Sequence, residues 1–488
     1  MYRRLSRKQE IFRRVLVYTL MSLTVITTAS LIVLFTLGYR FDSSEGRLQQ
    51  GSLVQFGSTP SGATVSIDGV AMGSRTPSKS SILPGQHNFA IWRDGYELWE
   101  KTINIKAGTL TWLNYALLVP KKLTVEPVEV YGSLHASLAT MQGREILLQR
   151  HADTPQFNLI DLRSDSVQSE TLTIPSSVYS TTPNSEAPHN FSMASWDRTG
   201  RYVLIRHTHG DTKEWLVLDT RESTSTRNIT ELFNLDIKDI KFAGSGGTVL
   251  YALVADATIR RLDISSSNTS SPLVSNVTNF DTYEDGNIIS YVGTAKSGTE
   301  KVAGLYREGD EGPRVIRSID SSSDTSLHIA TTNYFNDDYV AIAEGKKVDI
   351  LNGNYPNDNA DISDLRTFAS FTLDRDVKHL GFSPDGQYML AQSDEYFSSY
   401  DLEYQSLASS SIEGEGTTSR LRWLDDNYIW SDRGGTLTIR EFDGANSHTI
   451  NKVAQGHDAY LTHNGRYVYS IGVADGNYQL QRVRLILP

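Results

Sequence analysis

The sequence of 488 residues contains no cysteine. Disulfides, thiolate zinc sites and cysteine nucleophiles are therefore excluded together, so a packed core alone has to stabilise the fold. Three catalytic or cofactor motifs are also missing: the nucleophile elbow G-x-S-x-G, the zinc motif H-E-x-x-H and the phosphate-binding pattern G-x-x-x-x-G-K-[ST]. From these absences we expect no catalytic residues and no cofactor.

Positive charge is scarce outside the first residues of the chain. The formal net charge is -11, and residues 1–14 carry +5, so the remainder is near -16. A body that acidic repels phosphate backbones, which makes nucleic acid an unsuitable partner. The basic start can still favour an anionic lipid surface.

One long uncharged segment stands out between Arg14 and Arg40. At ~1.5 Å per residue, the run of residues 15–39 is long enough to cross the roughly 30 Å apolar core of a bilayer as a helix. The basic residues before it are Arg3, Arg4, Arg7, Lys8, Arg13 and Arg14. Basic flanks stay in the cytoplasm, so we expect a cytoplasmic tail (1–14), a membrane-spanning signal anchor (15–39) and an extracytoplasmic remainder. A cleaved signal peptide is the alternative, but its apolar part is shorter and ends in an A-x-A-like site.

Residues 51–120 alternate short strand-like runs with turn signals. Apolar residues recur with period two in ATVSIDG, and Asp68-Gly69 then offers a hairpin turn, so this segment predicts a small antiparallel β domain. The segment also contains a characteristic set of residues, mostly glycine, proline and apolar residues, in a characteristic order and spacing: Pro60, Gly62, Ala63, Val65, Ile67, Asp68, Gly69, Gly73, Thr76, Pro77, Leu83, Gly85, Gly95, Tyr96 and Gly108.

In order and spacing these residues resemble the PEGA domain, a β-sandwich-like module of bacterial and archaeal surface proteins. The family's motif stands here as PSGA, with Ser61 in place of the usual Glu. The resemblance implies a spacer or adhesive unit in a bacterial cell envelope. At Gly69, Gly85 and Gly95 a tight turn favours positive φ, which glycine adopts at least cost.

From residue 123 to 488 one pattern returns with variations: an apolar strand, a D-G, N-G or D-D turn, a second apolar strand, and a third strand that often ends in Asp. Such repetition is typical of β-propeller blades. About eight units of about 46 residues fit the segment, while a ring of seven would need longer blades and one false repeat. Both ring sizes stay open. The copy with Ser383-Pro384-Asp385-Gly386 resembles the WD40-like repeats of TolB-type propellers.

Few side chains point to a specific site. The loop 352–364 offers oxygen ligands of the kind that calcium prefers, although its spacing misses the EF-hand pattern; the candidates are Asp358, Asn359, Asp361 and Asp364. His207 and His209 form the only close histidine pair, and we expect two exposed residues at a strand end. Four tryptophans within strand runs favour core packing over a sugar-stacking platform: Trp196, Trp215, Trp423 and Trp430.

Together these features predict a mainly β protein with one N-terminal transmembrane helix, a PEGA-like module (51–120) and a seven- or eight-bladed propeller (123–488). We expect a non-enzymatic, membrane-anchored binding or scaffolding protein of the cell envelope that recognises a protein or a glycan. The rival class is a propeller glycosidase or lyase. It would require a carboxylate pair in the central channel at separations of roughly 5 to 9.5 Å. A sensor that signals inward is disfavoured because the predicted tail (1–14) carries no domain.

Overall fold

The computed structural model describes residues 7–36, 38–42, 47–140, 143–182, 185–244, 246–283, 286–356, 364–416 and 420–488. It divides into two compact units, residues 1–122 and 123–488. The described part of the chain contains the α-helices α1 (Arg7–Thr36) and α2 (Ile229–Phe233), and two short 3-10 helices at Ser223–Ser225 and Arg433–Gly435. The other regular elements are strands.

Helix α1 contains an apolar span, Ile11–Thr36, whose side chains are exposed and which is long and apolar enough to cross a membrane. A secretion signal near an N-terminus passes the same test of length and composition. The helix stops before the predicted limit of residue 39, because Gly38 adopts a φ of 81° and its N–H bonds back to the carbonyl of Phe35 at 3.0 Å.

After the helix, a hairpin of β1 (Tyr39–Asp42) and β2 (Arg47–Gln50) leads into two sheets. The strands are β3 (Ser52–Thr59), β4 (Thr64–Ile67), β5 (Val70–Arg75), β6 (Ser78–Ile82), β7 (Gly85–Trp92), β8 (Trp99–Ile105) and β9 (Leu110–Leu117). Their orders are β6-β3-β9, with β3 and β9 parallel, and β5-β4-β7-β8. Alternating residues of both sheets, among them Phe56, Phe89 and Trp99, form one core, so the module is a small β-sandwich.

Among its described residues, the second unit contains eight four-stranded sheets. Seven of them follow chain order. Blade 1 comprises β11 (Ala136–Ala139), β12 (Glu145–Gln149), β13 (Gln156–Asp161) and β14 (Gln168–Thr173). Blade 2 comprises β15 (Asn190–Trp196), β16 (Tyr202–His209), β17 (Thr212–Asp219) and β18 (Arg227–Asn228). Blade 3 comprises β19 (Ile237–Phe242), β20 (Val249–Val254), β21 (Ile259–Asp263) and β22 (Asn268–Thr269). Blade 4 comprises β23 (Val277–Tyr283), β24 (Ile288–Thr294), β25 (Glu300–Arg307) and β26 (Arg314–Asp320).

The remaining blades continue the series. Blade 5 comprises β27 (Leu327–Tyr334), β28 (Asp337–Glu344), β29 (Lys347–Gly353) and β30 (Arg366–Thr372). Blade 6 comprises β31 (His379–Phe382), β32 (Tyr388–Gln392), β33 (Tyr396–Asp401) and β34 (Ser406–Ser411). Blade 7 comprises β35 (Arg422–Trp423), β36 (Tyr428–Ser431), β37 (Thr436–Glu441) and β38 (His448–Lys452). Blade 8 comprises β39 (Tyr460–Leu461), β40 (Tyr467–Ala474), β41 (Asn477–Arg484) and, from the start of the unit, β10 (Val125–Tyr131).

These sheets close into a ring of eight. Separate clusters of buried side chains join each of blades 1 to 6 to the next, and a further cluster joins blade 8 to blade 1. Blades 7 and 8 are joined by a 2.8 Å bond from the N–H of Ala454 to the carbonyl of Ile471. The first strand of the unit pairs with the last, Val125 opposite Val483, and this pairing completes blade 8 and closes the ring.

Local hydrogen bonds explain the repeated turn between the first and second strands of a blade. A polar side chain at the end of the first strand accepts from the backbone N–H of the residue five positions later. The pairs are Thr140 with Glu145 (3.1 Å), Asp197 with Tyr202 (2.8 Å), Ser383 with Tyr388 (3.0 Å) and Thr462 with Tyr467 (3.0 Å). Because each of these bonds joins residues within a six-residue segment, the turn can be recognised from the local sequence.

Candidate functional site: the central cavity

The first strand of each blade is the inner one, and the inner strands of blades 2 to 6 line a cavity of about 910 Å³. The lining residues come from β15, β19, β23, β27 and β31 and the turns that follow them, with Ser290 on β24 and Arg420 just before β35. A volume of this size accommodates a small-molecule ligand or an inserted loop. Many of the lining side chains carry hydroxyl or amide groups: Ser195, Thr282, Asn287, Ser290, Thr331, Thr332, Asn333 and Ser383.

Among the described residues of the lining, the charged side chains are mainly cationic. Arg198, Lys241 and Arg420 line the cavity, and Asp281 is the one carboxylate among the described lining residues. Asp239 lies beside the cavity on β19, with its Oδ2 at 4.0 Å from Lys241 Nζ. The carboxylate of Asp281 is oriented by the backbone N–H of Thr282 at 2.9 Å. The described lining therefore offers hydrogen-bond donors and acceptors and more positive than negative side chains.

The four tryptophans occupy different positions. Trp215 and Trp430 are 6% and 4% exposed and belong to the core, as expected for aromatic residues in strand runs. Trp423 is half-buried against the cluster between blades 6 and 7. Trp196 packs against the cluster between blades 1 and 2 but also lines the cavity, where its Nε1 donates to the carbonyl of Leu138 at 3.2 Å. One tryptophan is thus available to a ligand in the cavity.

The expectation for the histidine pair was wrong. His207 and His209 are buried, at 0% and 4% exposure, because they share a face of β16 with Val203 and Ile205 of the core. Their neighbour is His189, which lies 18 residues before His207 in the sequence. The ring of His189 stacks on that of His209, with the ring centroids 4.1 Å apart. The period-two register of β16 was the signal that could have placed both histidines inside.

These rings meet a buried carboxylate. Glu214 is 4% exposed and accepts from the N–H of Ser180 (2.9 Å), from His207 Nδ1 (3.0 Å) and from Asn228 Nδ2 (2.9 Å). Burial alone would raise the pKa of Glu214, but these hydrogen bonds outweigh burial and lower its pKa to about 2. The side chain therefore carries a negative charge inside the propeller at neutral pH.

A calcium site stays a prediction. Asp358, Asn359 and Asp361 lie outside the described residues, while Asp364 is described and exposed. Within the described ranges, no group of three or more histidine or carboxylate side chains is arranged to hold a metal ion.

Comparison with known proteins bears on the two units separately. The family model of the PEGA domain matches residues 52–119, which confirms the resemblance seen in the sequence. No curated protein matches the chain.

Among solved structures, the C-terminal WD40 domain of Sif2 is 10% identical, with a TM-score of 0.47 over 75% of this chain and 98% of that one. The β-propeller domain of Cps50 (Swd1) from Myceliophteria thermophila is 13% identical, with a TM-score of 0.40 over 73% of this chain and 99% of that one. A chain of the yeast Nup82-Nup159-Nup116 nucleoporin complex is 12% identical, with a TM-score of 0.41 over 65% and 97%.

Residues 52–119 thus form a PEGA domain, and residues 123–488 form an eight-bladed propeller by their own strand pairing. The predicted mainly β fold, with one apolar helix at the N-terminal end, is confirmed. The choice between seven and eight blades is settled at eight by the number of four-stranded sheets.

Proposed function

We propose that this protein is a membrane-anchored, extracytoplasmic binding or scaffolding protein of the cell envelope. The observation that carries the proposal is the closed eight-bladed ring around a polar cavity of about 910 Å³, in the same chain as an apolar helical span and a PEGA domain. A rigid ring holds loops and inner strands in fixed positions, which suits recognition of a protein or glycan partner.

The direction of the anchor follows from charge. Six basic residues and one acidic residue precede the apolar span, and basic flanks are retained in the cytoplasm. The PEGA domain and the propeller then lie outside, where the acidic surface of the propeller keeps it soluble. The first residues of the chain face the anionic inner lipid surface.

The residues that line the cavity favour binding of a ligand over its chemical conversion. A glycosidase needs two carboxylates that flank the scissile bond. Within the described lining, Asp281 stands with Arg198, Lys241 and Arg420, and a single carboxylate among cations suits a bound polar or anionic group better than acid and base catalysis.

The test is to immobilise residues 47–488 and to pass envelope extract and glycan fragments over the resin. We expect retention of a defined partner and an unchanged flow-through. The variant Lys241→Glu, in the cavity, should lose retention, while Lys296→Glu, at an exposed turn of blade 4, should keep it. New glycan or peptide products that disappear with Asp281→Asn would establish an enzyme instead.

A further inference from the structure

A second concavity, separate from the central cavity, lies near the position where blade 8 meets blade 1 and the ring closes. It has a volume of about 500 Å³ and is formed by the connection from β10 to β11, the β12–β13 turn, the residues at and just before the start of β15, and the first residues of β41. We call it the seam pocket. The lining side chains used below are Ser133, Arg150, His151, Asp153, His189 and Tyr478.

His189 is the wall residue that the fold holds most firmly. Its Nδ1 lies 2.9 Å from Nε2 of the fully buried His207, whose Nδ1 in turn lies 3.0 Å from Oε2 of Glu214. The ring of His189 is stacked on His209 at an angle of 20°, and Tyr179 meets its edge at a centroid distance of 5.4 Å. Contacts on one face, at one edge and at one nitrogen hold the ring of His189 in one orientation.

This chain of contacts also fixes where the protons lie. An ionised Glu214 can only accept, so His207 donates to it from Nδ1. In the arrangement in which Nε2 of His207 accepts, His189 donates to it from Nδ1, and the Nε2 of His189 is left as a hydrogen-bond acceptor. His209 is likewise fixed, because its Nδ1 accepts the N–H of Thr182 at 2.8 Å.

The other polar groups of the seam pocket complement such an acceptor. Asp153 accepts, Arg150 donates, and Ser133 does both, with its Oγ at 3.0 Å from His151 Nε2. Tyr478 adds an aromatic surface. A ligand that fits has to donate and accept at neighbouring positions and to offer an apolar face, and a hexose ring does all three.

An inorganic anion fits less well. Phosphate at neutral pH has few protons to donate to an acceptor nitrogen, and the carboxylate of Asp153 repels it. The charges of Arg150 and Asp153 offset each other, so the pocket favours a neutral ligand.

We propose that the seam pocket is a binding subsite for a neutral sugar unit of a cell-envelope glycan, with His189 Nε2 accepting a sugar hydroxyl and with His207 and Glu214 as positioning residues. The inference rests on the proposed binding function, since it names one class of partner and the place on the ring where it docks. It adds a second contact point to the central cavity.

The site should respond to pH through His189. Its pKa lies below the ordinary value because of partial burial and because of the neighbouring rings of His209 and His207. Among the described residues, the charged and titratable groups around it are His207, His209 and Glu214 on β16 and β17, Tyr179 before β15, Arg150, His151 and Asp153 between β12 and β13, His135 before β11, and Tyr478 on β41. Protonation of His189 at Nε2 removes the acceptor, so sugar binding should fall as the pH drops through its pKa.

The experiment titrates the full chain in detergent with maltotetraose, the N-acetylglucosamine tetrasaccharide and inorganic phosphate, by calorimetry at pH 7 and at half-unit steps down to pH 5. We expect at least one of the two saccharides to bind and inorganic phosphate not to bind. His189→Phe, which keeps the ring and removes the acceptor, should weaken binding about tenfold, and Asp153→Asn about fivefold, each the loss of one or two hydrogen bonds. Lys296→Glu should bind as the parent does.

Glu214→Gln tests the positioning role. The amide can donate as well as accept, so the proton on His207 is no longer fixed, and the pH midpoint of binding should shift as well as the affinity. A purely structural role would leave the midpoint in place. Melting curves check that each variant is folded, and Asp153→Asn, at an exposed turn, covers the case in which His189→Phe does not fold.

Three outcomes would overturn the inference: phosphate binding without saccharide binding, saccharide binding that His189→Phe and Asp153→Asn leave unchanged, and no binding of any probe at millimolar concentration. If the His189→Phe chain still captures its envelope partner as the parent does, the proposed binding function stands and the seam pocket fails alone. If the parent itself captures nothing from envelope extract, the proposed function fails.

Discussion

Glu214→Gln offers a quantitative test of the buried hydrogen-bond network of blade 2. The carboxylate accepts three bonds, and a pKa lowered from 4.5 to about 2 corresponds to about 3 kcal/mol of stability at neutral pH. Three charge-assisted bonds that each contribute about 1 kcal/mol more than a neutral bond give the same figure. The variant should therefore unfold at lower denaturant concentration at pH 7.

The stabilisation that Glu214 provides should decrease at low pH. Because the pKa of Glu214 is lower in the folded than in the unfolded chain, its contribution is full above about pH 4.5 and is lost as the pH falls toward about 2. The gap in unfolding free energy between parent and variant should thus be about 3 kcal/mol at pH 7 and should shrink below pH 4.5.

The assay is urea unfolding of the full chain in detergent, followed by tryptophan fluorescence at several pH values between 7 and 3.5. Glu170→Gln, on the exposed outer strand of blade 1, is the matched control and should change stability by less than about 0.5 kcal/mol. An equal gap at every pH, or no gap at pH 7, would refute the account of the buried carboxylate.

Two further predictions concern the separate units. Gly95 has a φ of 86°, so Gly95→Val should destabilise the PEGA domain by roughly 1 kcal/mol or more, whereas Gly73→Val, in open space, should not. Calorimetry should show the PEGA transition lowered and the propeller transition unmoved, and a joint shift would contradict two independent units. Truncation after Gly456 removes β39 to β41 and exposes the blade 1 side of the seam, so the chain should aggregate or lose cooperative melting, while deletion of residues 487–488 should be harmless. A monomeric truncated chain that melts like the parent would contradict ring closure.

The sequence predicted those parts of the fold that local interactions encode. The PEGA domain was recognisable because turns with positive φ, such as those at Gly69 and Gly95, restrict the residue type at single positions. The blades were recognisable because the turn after the first strand is built within six residues, as between Ser383 and Tyr388.

The number of blades and the seam pocket could not be predicted from the sequence, because both depend on contacts between separate segments of the chain. The strand β10 carries no repeat of its own, since its partner β41 lies about 350 residues later, and the number of blades depends on that pairing. The seam pocket likewise depends on contacts between separate segments. His189 and His207 are 18 residues apart, and only the packing of the connection before β15 against β16 and β17 brings them together.

The absence of cysteine allows a direct test of the central claim, that the chain is anchored with its propeller outside the cytoplasm. Ser266→Cys, at an exposed turn of blade 3, and Ser6→Cys, before the apolar span, each give a single thiol for a membrane-impermeant maleimide. In intact cells stripped of any outer layer, we predict labelling of the cysteine at position 266 in the membrane fraction and labelling at position 6 only after lysis. Labelling of position 6 in intact cells, or recovery of the protein outside the membrane fraction, would contradict the account.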